Sequence, residues 1–491
     1  MQEGLTFDDV LLIPQYSEIL PSEVNTASFL SRNVPLRVPI VSSPMDTVTE
    51  HKMAIAMALT GGIGIIHKNL SVEEQVHEVD IVKRFENGFI FDPITVSPSD
   101  TIDDVHNIRM EKGYKKIPVV DKKGILIGLI TELGYFWPSD KKLSVKKVMM
   151  PLKDLTVAPV NTSLAKANDI IYKKKLNVLC LVDKQDKLVA IVTRKDLEKN
   201  ETYPNANKDK NKSLFVGAAV GVGDSALERA RELVKIGVDA ITVDTAHGHS
   251  LGVIEMVKTL KKDKITKDVD VIAGNIATAA AAKALTEAGV DGLKVGIGPA
   301  SICTTRIVAG VGVPQITAVQ EATKGRDSAN VKKGKNYIPI IADGGIRYSG
   351  DIVKALAAGG DSIMIGNMFA GTDESPGETM YYHGKMYKSY RGMGSLAAMA
   401  RGSKDRYGQK NIKETNKLVP EGIEGRIAYC GPIDPIIYQL VGGVRSGMGY
   451  LGARTVKDLH KKAEFVKVTN AGLKENHPHD VEIAKQAPNY S

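Results

Sequence analysis

The chain has 491 residues, of which 43% are hydrophobic and 25% are charged, a balance that excludes a largely disordered protein. At roughly 150 residues per domain, this length predicts about three domains, or two if one of them is a barrel of more than ~250 residues. The formal net charge is +8, and residues 91–200 carry +6 of it (20 basic and 14 acidic side chains), so nucleic-acid binding by the whole protein is disfavoured.

The three cysteines, Cys180, Cys303 and Cys430, are too widely spaced to form a metal-binding pair or a disulfide framework, which indicates a reducing compartment. The amino terminus carries acids where a signal peptide needs a basic region. The longest apolar stretch, AIAMALTGGIGII, is shorter than the ~20 residues that span a bilayer. We therefore expect a cytoplasmic protein with no membrane partner.

Eight apolar, β-branched runs follow one another along the chain, and amphipathic segments that often end in glycine lie between them. The runs are PIVSSPMDTV, GGIGIIHK, FVGAAVGVG, DAITVDTAHG, DVIAGNIAT, GLKVGIGPASIC, YIPIIADGGI and DSIMIGNMFAG. Because each run is apolar at odd and even positions alike, we predict parallel strands buried on both faces. Eight such units favour an α/β protein built on a (β/α)8 TIM barrel over an open doubly wound sheet, for which a GxGxxG helix start is missing.

A repeat interrupts this pattern after the second run. Asp121 aligns with Asp183 and Thr131 with Thr193, at an offset of 62 in both cases. A tandem repeat of this length predicts a pair of similar α+β units inserted into a barrel loop. The predicted layout is a first part of the barrel at 1–89, repeats at about 90–148 and 149–204, and a second part of the barrel at 205–491.

The repeat resembles a tandem CBS pair (a Bateman module), and this resemblance implies binding of adenine or guanine nucleotides. The second unit keeps the sequence TRKDL, so Asp196 is the expected ligand of a nucleotide ribose. The first unit has TELGY and lacks the matching aspartate, so we predict at least one degraded nucleotide site. A structural appendage without a regulatory ligand is the alternative.

Residues 390–431, which follow the eighth run, are rich in glycine, lysine and arginine and show little periodicity. A long loop without its own core is usually functional or disordered. Its position at the catalytic rim of a barrel favours a mobile active-site flap.

Two further features indicate chemistry at the strand ends. The turns ADGGIRYSGD and MIGNMFAG place glycine amides where a helix begins, which favours phosphate binding over simple tight turns. Cys303, in GIGPASICTTR at the end of the sixth run, is either a thiolate nucleophile near oriented backbone amides or a small buried hydrophobe. These residues alone leave both interpretations of Cys303 open.

Several motifs occur together along the chain: SSPMDTVTE, DTAHGHS, GNIAT, GIGPASICTTR, IADGGIRYSGD, YRGMGSLAAM, GSKDRYGQ and the closing HPHDVEIAKQAPNY. In this combination they resemble the inosine-5′-monophosphate (IMP) dehydrogenase family. The resemblance implies NAD-dependent oxidation of IMP to xanthosine monophosphate (XMP): Cys303 attacks carbon 2 of the hypoxanthine ring, hydride passes to NAD+, and water hydrolyses the thioimidate. It further implies a flap pair, Arg406 and Tyr407, with the arginine as general base and Thr305 helping to activate the water.

The same resemblance implies the binding residues. The expected substrate ligands are Ser43, Met45, Ser301, Asp343, Gly345, Gly366, Asn367, Tyr390, Gly392, Met393, Gly394 and Glu421. The expected cofactor ligands are Asp244, Asn275, Gly296 and Gly298. A potassium ion is expected at Gly298, Ala300, Cys303 and Glu475.

Ala300 stands where the family normally has glycine. If that position needs a positive φ, the Cβ atom costs roughly 1 kcal/mol or more, and the potassium loop would be strained. The family also forms homotetramers that can pair into octamers through the CBS modules, so a homotetramer is the expected assembly.

Two other functions remain as alternatives. GMP reductase shares the barrel, the cysteine loop and the phosphate turns but consumes NADPH, and the flap pair argues against it because reductive deamination needs no activated water. A nucleotide-sensing regulatory protein would use the basic repeat but would leave the cysteine loop and the flap unexplained.

Overall fold

The computed structural model describes residues 3–85, 90–91, 93–194, 203–329, 337–409, 411–412, 414–485 and 487–490. The chain forms two compact units. The first comprises residues 1–83, 205–207 and 214–491, and the second comprises residues 84–204 and 208–213. The second unit thus begins at Arg84 rather than at residue 90.

The first unit contains a closed barrel of eight parallel strands, one in each of the eight apolar runs. Their bounds are β1 Ile40–Ser42, β2 Ile63–Ile66, β3 Gly217–Val220, β4 Ala240–Asp244, β5 Asp270–Ile276, β6 Gly292–Val295, β7 Ile340–Asp343 and β8 Ser362–Ile365. The strands pair in chain order, and β8 pairs with β1 to close the ring. The prediction of a TIM barrel is therefore confirmed, and an open sheet is excluded.

A helix follows each barrel strand, as a (β/α)8 fold requires. The helices are α1 His51–Leu59, α2 Val72–Lys83, α3 Asp224–Lys235, α4 Leu251–Lys262, α5 Ala279–Ala288, α6 Gln315–Asp327, α7 Ser349–Ala357 and α8 Ile433–Tyr450. Shorter helical segments are Phe7–Asp9, Pro21–Glu23, Thr305–Val308, Asn367–Ala370, Val456–Lys462 and Asn470–Glu475. Among the described residues, no helix has the length and apolar character needed to cross a membrane.

A short hairpin closes the amino-terminal end of the barrel. Strand Ser28–Ser31 pairs with Val34–Leu36. The hairpin inserts Leu30 and Leu36 into the same buried cluster as Ile272 of the barrel. Because this end is plugged, a ligand site is expected at the opposite end, where the strands terminate.

An aspartate stands just before alternate strands at the plugged end. Asp239, Asp291 and Asp361 precede or begin β4, β6 and β8, and each accepts a backbone N–H from the neighbouring strand at 2.8–2.9 Å. Each also lies beside a cation from the last turn of a preceding helix. The ion pairs are Lys83–Asp239 at 3.0 Å, Lys261–Asp291 at 2.7 Å and Arg326–Asp361 at 3.8 Å. These pairs tie the helices to the strands.

The second unit repeats its secondary structure along the chain. Helix Ile102–Lys112 precedes the antiparallel strands Lys116–Val120 and Leu126–Thr131, and helix Leu164–Lys173 precedes the antiparallel strands Val178–Val182 and Leu188–Thr193. Each turn is closed by an aspartate: Asp121 Oδ1 accepts from Ile125 N at 2.9 Å, and Asp183 Oδ1 accepts from Lys187 N at 2.9 Å. Shorter elements are Ile90–Phe91, Trp137–Asp140, Val145–Val148, Met150–Pro151, Leu152–Asp154 and Val157–Pro159. The assignment of this repeat as a CBS pair stays a prediction.

Candidate active site

A cavity of about 380 Å³ lies at the carboxyl ends of the barrel strands, which is large enough for a mononucleotide. It is lined by nearly all of the residues that the sequence singled out. The lining includes Ser43, Met45, Asp244, Asn275, Gly296, Gly298, Ala300, Ser301, Cys303, Thr305, Asp343, Gly345, Gly366, Asn367, Tyr390, Gly392, Met393, Gly394, Arg406, Tyr407 and Glu421.

The sequence predicted two further site residues, Glu475 and Asp196. Glu475 is exposed at the end of helix Asn470–Glu475 and does not line it. Asp196 lies outside the described residues. Their expected roles, in cation binding and nucleotide regulation, therefore stay predictions.

Cys303 is a free, partly exposed cysteine at the wall of the cavity. Its Sγ donates to Thr305 Oγ1 at 3.2 Å, and its backbone N–H donates to Ala300 O at 3.0 Å. Thr304 N donates to Glu421 O at 2.9 Å, so the cysteine loop is bound to the segment that carries Glu421. The other thiols differ: Cys180 is buried, and burial raises its pKa to about 12, whereas Cys430 is exposed away from the cavity.

Lys294, on β6, is a site residue that the sequence analysis missed. Its side chain is only 1% exposed, and its Nζ lies 2.8 Å from Asp244 Oδ1 and 3.1 Å from Asp343 Oδ2. It also donates to Asn275 Oδ1. A lysine in the middle of the apolar run GLKVG was the available signal, because a buried charge needs a partner.

Asp343 ends β7 and is fixed from several sides. Its Oδ2 accepts from Asn275 Nδ2 at 2.8 Å, and its backbone carbonyl accepts from Gln315 Nε2 at 3.2 Å. The side chain is nevertheless 18% exposed, so part of the carboxylate faces the cavity. A carboxylate held in this way can accept hydrogen bonds from ligand hydroxyls with little loss of side-chain entropy.

The turns after β7 and β8 leave room for an anion. Gly345 has φ +84°, and a Cβ atom there would lie 3.2 Å from Phe7. A Cβ atom on Gly366 would lie 3.1 Å from Met45 Sδ and 3.2 Å from Tyr390 Oη. Burial raises the pKa of Tyr390, so its hydroxyl stays protonated and can donate.

The loop before Cys303 does not carry the strain that the sequence suggested at Ala300. Positive φ values occur at Gly296 (+152°) and Gly298 (+76°), whereas Ala300 lies outside the left-handed region. The expectation of strain was wrong, because the bends fall on the glycines that precede Ala300. Arg306 supports the loop, since its Nε donates to Ile297 O at 3.2 Å.

The described part of residues 390–431 contains more regular secondary structure than the sequence indicated for the flap. Their ends belong to a three-stranded antiparallel sheet, and short helical segments lie between them. The strands are Thr379–Tyr382, Lys385–Arg391 and Glu424–Ala428, and the helical segments are Leu396–Ala400, Ser403–Tyr407 and Thr415–Lys417. The sheet holds both ends of the segment, so the predicted flap is confined to the part between residues 391 and 424, and its mobility stays a prediction.

Arg406 and Tyr407 lie inside the cavity with Cys303. Arg406 forms an ion pair with Asp244 Oδ2, and its carbonyl accepts from Ala246 N at 3.1 Å. The ring of Tyr407 packs on Gly394, where a Cβ atom would lie 2.7 Å from Cζ. Burial raises the pKa of Tyr407, which keeps its hydroxyl protonated beside Arg406.

A closed barrel with a thiol, glycine-lined turns and two aspartates at the strand ends has the architecture of a (β/α)8 enzyme, in which the active site lies at this end of the barrel. The family model described as IMP dehydrogenase / GMP reductase domain matches residues 4–479. The inosine-5′-monophosphate dehydrogenase of Aquifex aeolicus is 53% identical over 494 residues, covering 100% of this chain and 98% of that protein. The corresponding protein of Bacillus subtilis is 50% identical over 495 residues, with 100% and 98% covered.

Solved structures agree with this grouping. A GMP reductase variant from Trypanosoma brucei in complex with guanosine 5′-monophosphate matches with a TM-score of 0.86 and 42% sequence identity, covering 98% of this chain and 99% of that one. The chain belongs to the IMP dehydrogenase / GMP reductase family.

Proposed function

We propose that the protein is an NAD-dependent oxidoreductase that converts IMP to XMP. The observation that carries the proposal is the pair Arg406–Tyr407 in the same cavity as Cys303, with Arg406 on Asp244. An oxidation that ends in hydrolysis needs a group that activates water, whereas a reductive deamination does not. Relatives at about 50% identity that are named as IMP dehydrogenases support the same choice.

The substrate is held by groups that match its parts. Asp343 accepts the ribose hydroxyls, and the turns at Gly345 and Gly366 receive the phosphate, to which Tyr390 donates. Glu421 faces the purine edge. These contacts direct carbon 2 of the base towards Cys303 and restrict the motion of the substrate before reaction. The other expected contacts are Ser43, Met45, Ser301, Asn367, Gly392, Met393 and Gly394.

In the first half of the reaction the Cys303 thiol loses its proton to solvent, the thiolate forms a bond to carbon 2 of the hypoxanthine ring, and the hydrogen on that carbon leaves as hydride. The cofactor NAD+ supplies the hydride acceptor when bound. Asp244, Asn275, Gly296 and Gly298 would hold it, and they fit because the Asp244 carboxylate can accept ribose hydroxyls once Arg406 withdraws.

In the second half, water adds to carbon 2 and displaces the Cys303 thiolate. Arg406 takes the proton of the water, while Tyr407 and Thr305 orient the water. Arginine is normally protonated, and the ion pair with Asp244 favours that form, so Arg406 takes the proton only in the fraction of molecules in which its side chain is neutral. Because one carboxylate, Asp244, serves the cofactor ribose and Arg406, the cofactor and the closed flap exclude each other.

Further features of the proposal come from the family. Potassium would bind the carbonyl oxygens of Gly298, Ala300 and Cys303, with Glu475 as a further ligand, and oxygen ligands suit a hard monovalent cation. The positive φ values of Gly296 and Gly298 are compatible with such a carbonyl ring. Adenine or guanine nucleotides would bind the second unit, with Asp196 as a ribose ligand, and the chain would assemble as a homotetramer.

A GMP reductase is the second candidate, favoured by the solved structures of that name. One spectrophotometric assay separates the candidates. We expect NADH to appear when the protein is mixed with IMP and NAD+. Consumption of NADPH with GMP would support the reductase instead, and neither reaction would support a nucleotide-sensing regulator.

A further inference from the structure

We propose that Lys68 is a positioning residue for the hydrolytic step: it binds Asp405 of the flap and thereby holds Arg406 on Asp244. This inference rests on the proposed function, because it presumes a flap that activates water. Lys68 and Asp405 do not line the cavity and do not touch the reacting atoms, so their effect passes through Arg406.

Lys68 and Asp405 are in close contact, and both oxygens of the carboxylate take part. Lys68 follows the carboxyl end of β2, and its Nζ lies 2.5 Å from both carboxylate oxygens of Asp405. The Lys68 side chain is 7% exposed and that of Asp405 is 35% exposed. A cation this deeply buried loses most of its hydration, so the charged form of Lys68 depends on the Asp405 carboxylate for stabilisation.

Burial lowers the pKa of Lys68, and the Asp405 carboxylate opposes that shift. Among the described residues, Asp405 is the one acid that forms an ion pair with Lys68. Nearby Arg229 is held by Gln75 Oε1 at 2.7 Å and adds positive potential on the same side. The flap therefore delivers a negative charge to a positively charged surface beside the barrel mouth.

The neighbouring contacts fit a docking site for the flap. A Cβ atom on Gly221, just after β3, would lie 2.9 Å from Asp405 Oδ2 and 3.3 Å from Lys68 Nζ. Asn69 Nδ2 donates to Ala398 O at 3.2 Å and to Asp46 Oδ2 at 3.0 Å. The missing side chain at Gly221 thus makes room for the Asp405 carboxylate.

The location of Asp405 in the chain explains why its anchor matters for chemistry. Asp405 immediately precedes Arg406 within the 3-10 segment Ser403–Tyr407, so their Cα atoms are about 3.8 Å apart. The Arg406 carbonyl is bound by Ala246 on the β4 side. The segment is therefore held at two points next to the Arg406 side chain, by Lys68 through Asp405 and by Ala246 through the Arg406 carbonyl.

Loss of the Lys68 contact should shift the flap towards the open state. Hydrolysis would slow, because Arg406 would spend less time on Asp244. NAD+ would inhibit more strongly, because the open flap leaves Asp244 accessible after the covalent adduct has formed. Hydride transfer would be spared, since it takes place while the flap is open.

The test uses Lys68→Met and Gly221→Ala in the full-length protein. Gly221→Ala keeps both charges but places a methyl group against the Asp405 carboxylate, so it also covers the case in which Lys68→Met fails to fold. We expect the first-turnover NADH burst to stay within about twofold of the wild type and the steady-state rate to fall about tenfold. The inhibition constant for NAD+ as an inhibiting substrate should also fall, which means stronger inhibition.

Lys83→Met is the matched control, because it removes a buried lysine from another ion pair of the barrel, with Asp239, outside the cavity. It should keep the burst, the steady-state rate and the inhibition constant of the wild type. Asp405→Asn should match Lys68→Met, and the double variant should be no slower than either single variant.

Either of two kinetic outcomes would overturn the proposal. One is unchanged hydrolysis in Lys68→Met and Gly221→Ala. The other is a burst that falls in parallel with the steady-state rate, which would indicate a general structural role. Hydrogen exchange of residues 398–409 gives a readout that needs no turnover. It should be faster in Lys68→Met than in the wild type, and equal exchange would also overturn the proposal. Absence of NADH from the wild type would refute the proposed function alone, and the exchange measurement would still decide the role of Lys68.

Discussion

The two ends of the barrel use the same residue types in opposite ways. At the plugged end, Asp239, Asp291 and Asp361 each accept a backbone N–H and each have their own cation. At the open end, Asp244 and Asp343 share the buried cation Lys294, Asp244 also pairs with Arg406, and both carboxylates border a cavity.

The difference shows that charged residues at one end of a barrel can stabilise the fold while those at the other end remain able to bind a ligand. A carboxylate whose acceptor sites are all used by protein groups cannot accept hydrogen bonds from a ligand. Its interactions therefore stabilise the fold. Two carboxylates that share one lysine retain acceptor capacity, and one of them, Asp244, is also bound by Arg406, which we propose to withdraw when the flap opens. The same residue types, aspartates paired with cations, therefore stabilise the fold at one end of the barrel and form the candidate active site at the other.

The largest effect that this comparison predicts is at Cys303. Cys303→Ala should lower turnover by a factor of about 10⁴ or more, since no other group can form the covalent bond. IMP affinity and the midpoint of thermal unfolding should stay near those of the wild type. NADH formation and calorimetric titration with IMP measure both quantities, with Cys430→Ser as the control. Residual turnover near the wild-type rate would contradict covalent catalysis.

Next is Asp343→Asn at the open end. The KM for IMP should rise about 100-fold, because a charged acceptor of ribose hydroxyls becomes a neutral amide. Stability should change little, since Lys294 keeps its ion pair with Asp244. Steady-state kinetics and thermal unfolding of the same samples measure the two effects. A lower unfolding midpoint with an unchanged KM would show that Asp343 stabilises the fold and does not bind the substrate.

Asp291→Asn should show the opposite pattern at the plugged end. We expect a loss of about 2 kcal/mol in the free energy of unfolding, less than for a fully buried pair because its two cations, Lys261 and Arg32, are 25% and 27% exposed. The kcat/KM of the folded protein should stay within about twofold. Denaturant unfolding and enzyme assays on matched samples provide the measurement. A kinetic defect without loss of stability would break the distinction between the two ends.

The smallest effect concerns Asp263, just after α4. Its hydrogen bond with the Arg231 guanidinium lowers its pKa to about 2 from 3.8. A depressed carboxylate pKa contributes stability above pH 3.8 that is lost as the pH falls towards 2. Asp263→Asn should therefore be less stable than the wild type at pH 6, and the gap should close as the pH falls through 3. A gap that is independent of pH would exclude the carboxylate as its source.

The barrel was predictable because each of its strands is buried on both faces, which leaves an apolar run with no polar alternation. The strands Lys385–Arg391 and Glu424–Ala428 gave no such signal, since most of their side chains are at least partly exposed and register is set by pairing across the chain. Glycine-rich turns and Cys303 likewise indicated a site, because they stand directly after apolar runs.

Long-range contacts were not predictable in the same way. Lys68 and Asp405 are separated by 337 positions, and nothing in either local sequence names the partner. Lys294 could have been found as a charge within an apolar run, but its sharing by Asp244 and Asp343 depends on three strands meeting in a closed ring. The expected strain at Ala300 was wrong for a related reason: the neighbouring glycines absorb the bend.

The occupation of Asp244 by Arg406 has a consequence for inhibitor design. A compound that carries its own guanidinium or amine onto Asp244 would occupy the position of the arginine without supplying a proton acceptor for water. On the proposed mechanism, such a compound would trap the enzyme after hydride transfer and before hydrolysis, with the purine still bonded to the Cys303 sulfur. Its potency should therefore increase with the amount of enzyme that is working, rather than resting, when the compound arrives.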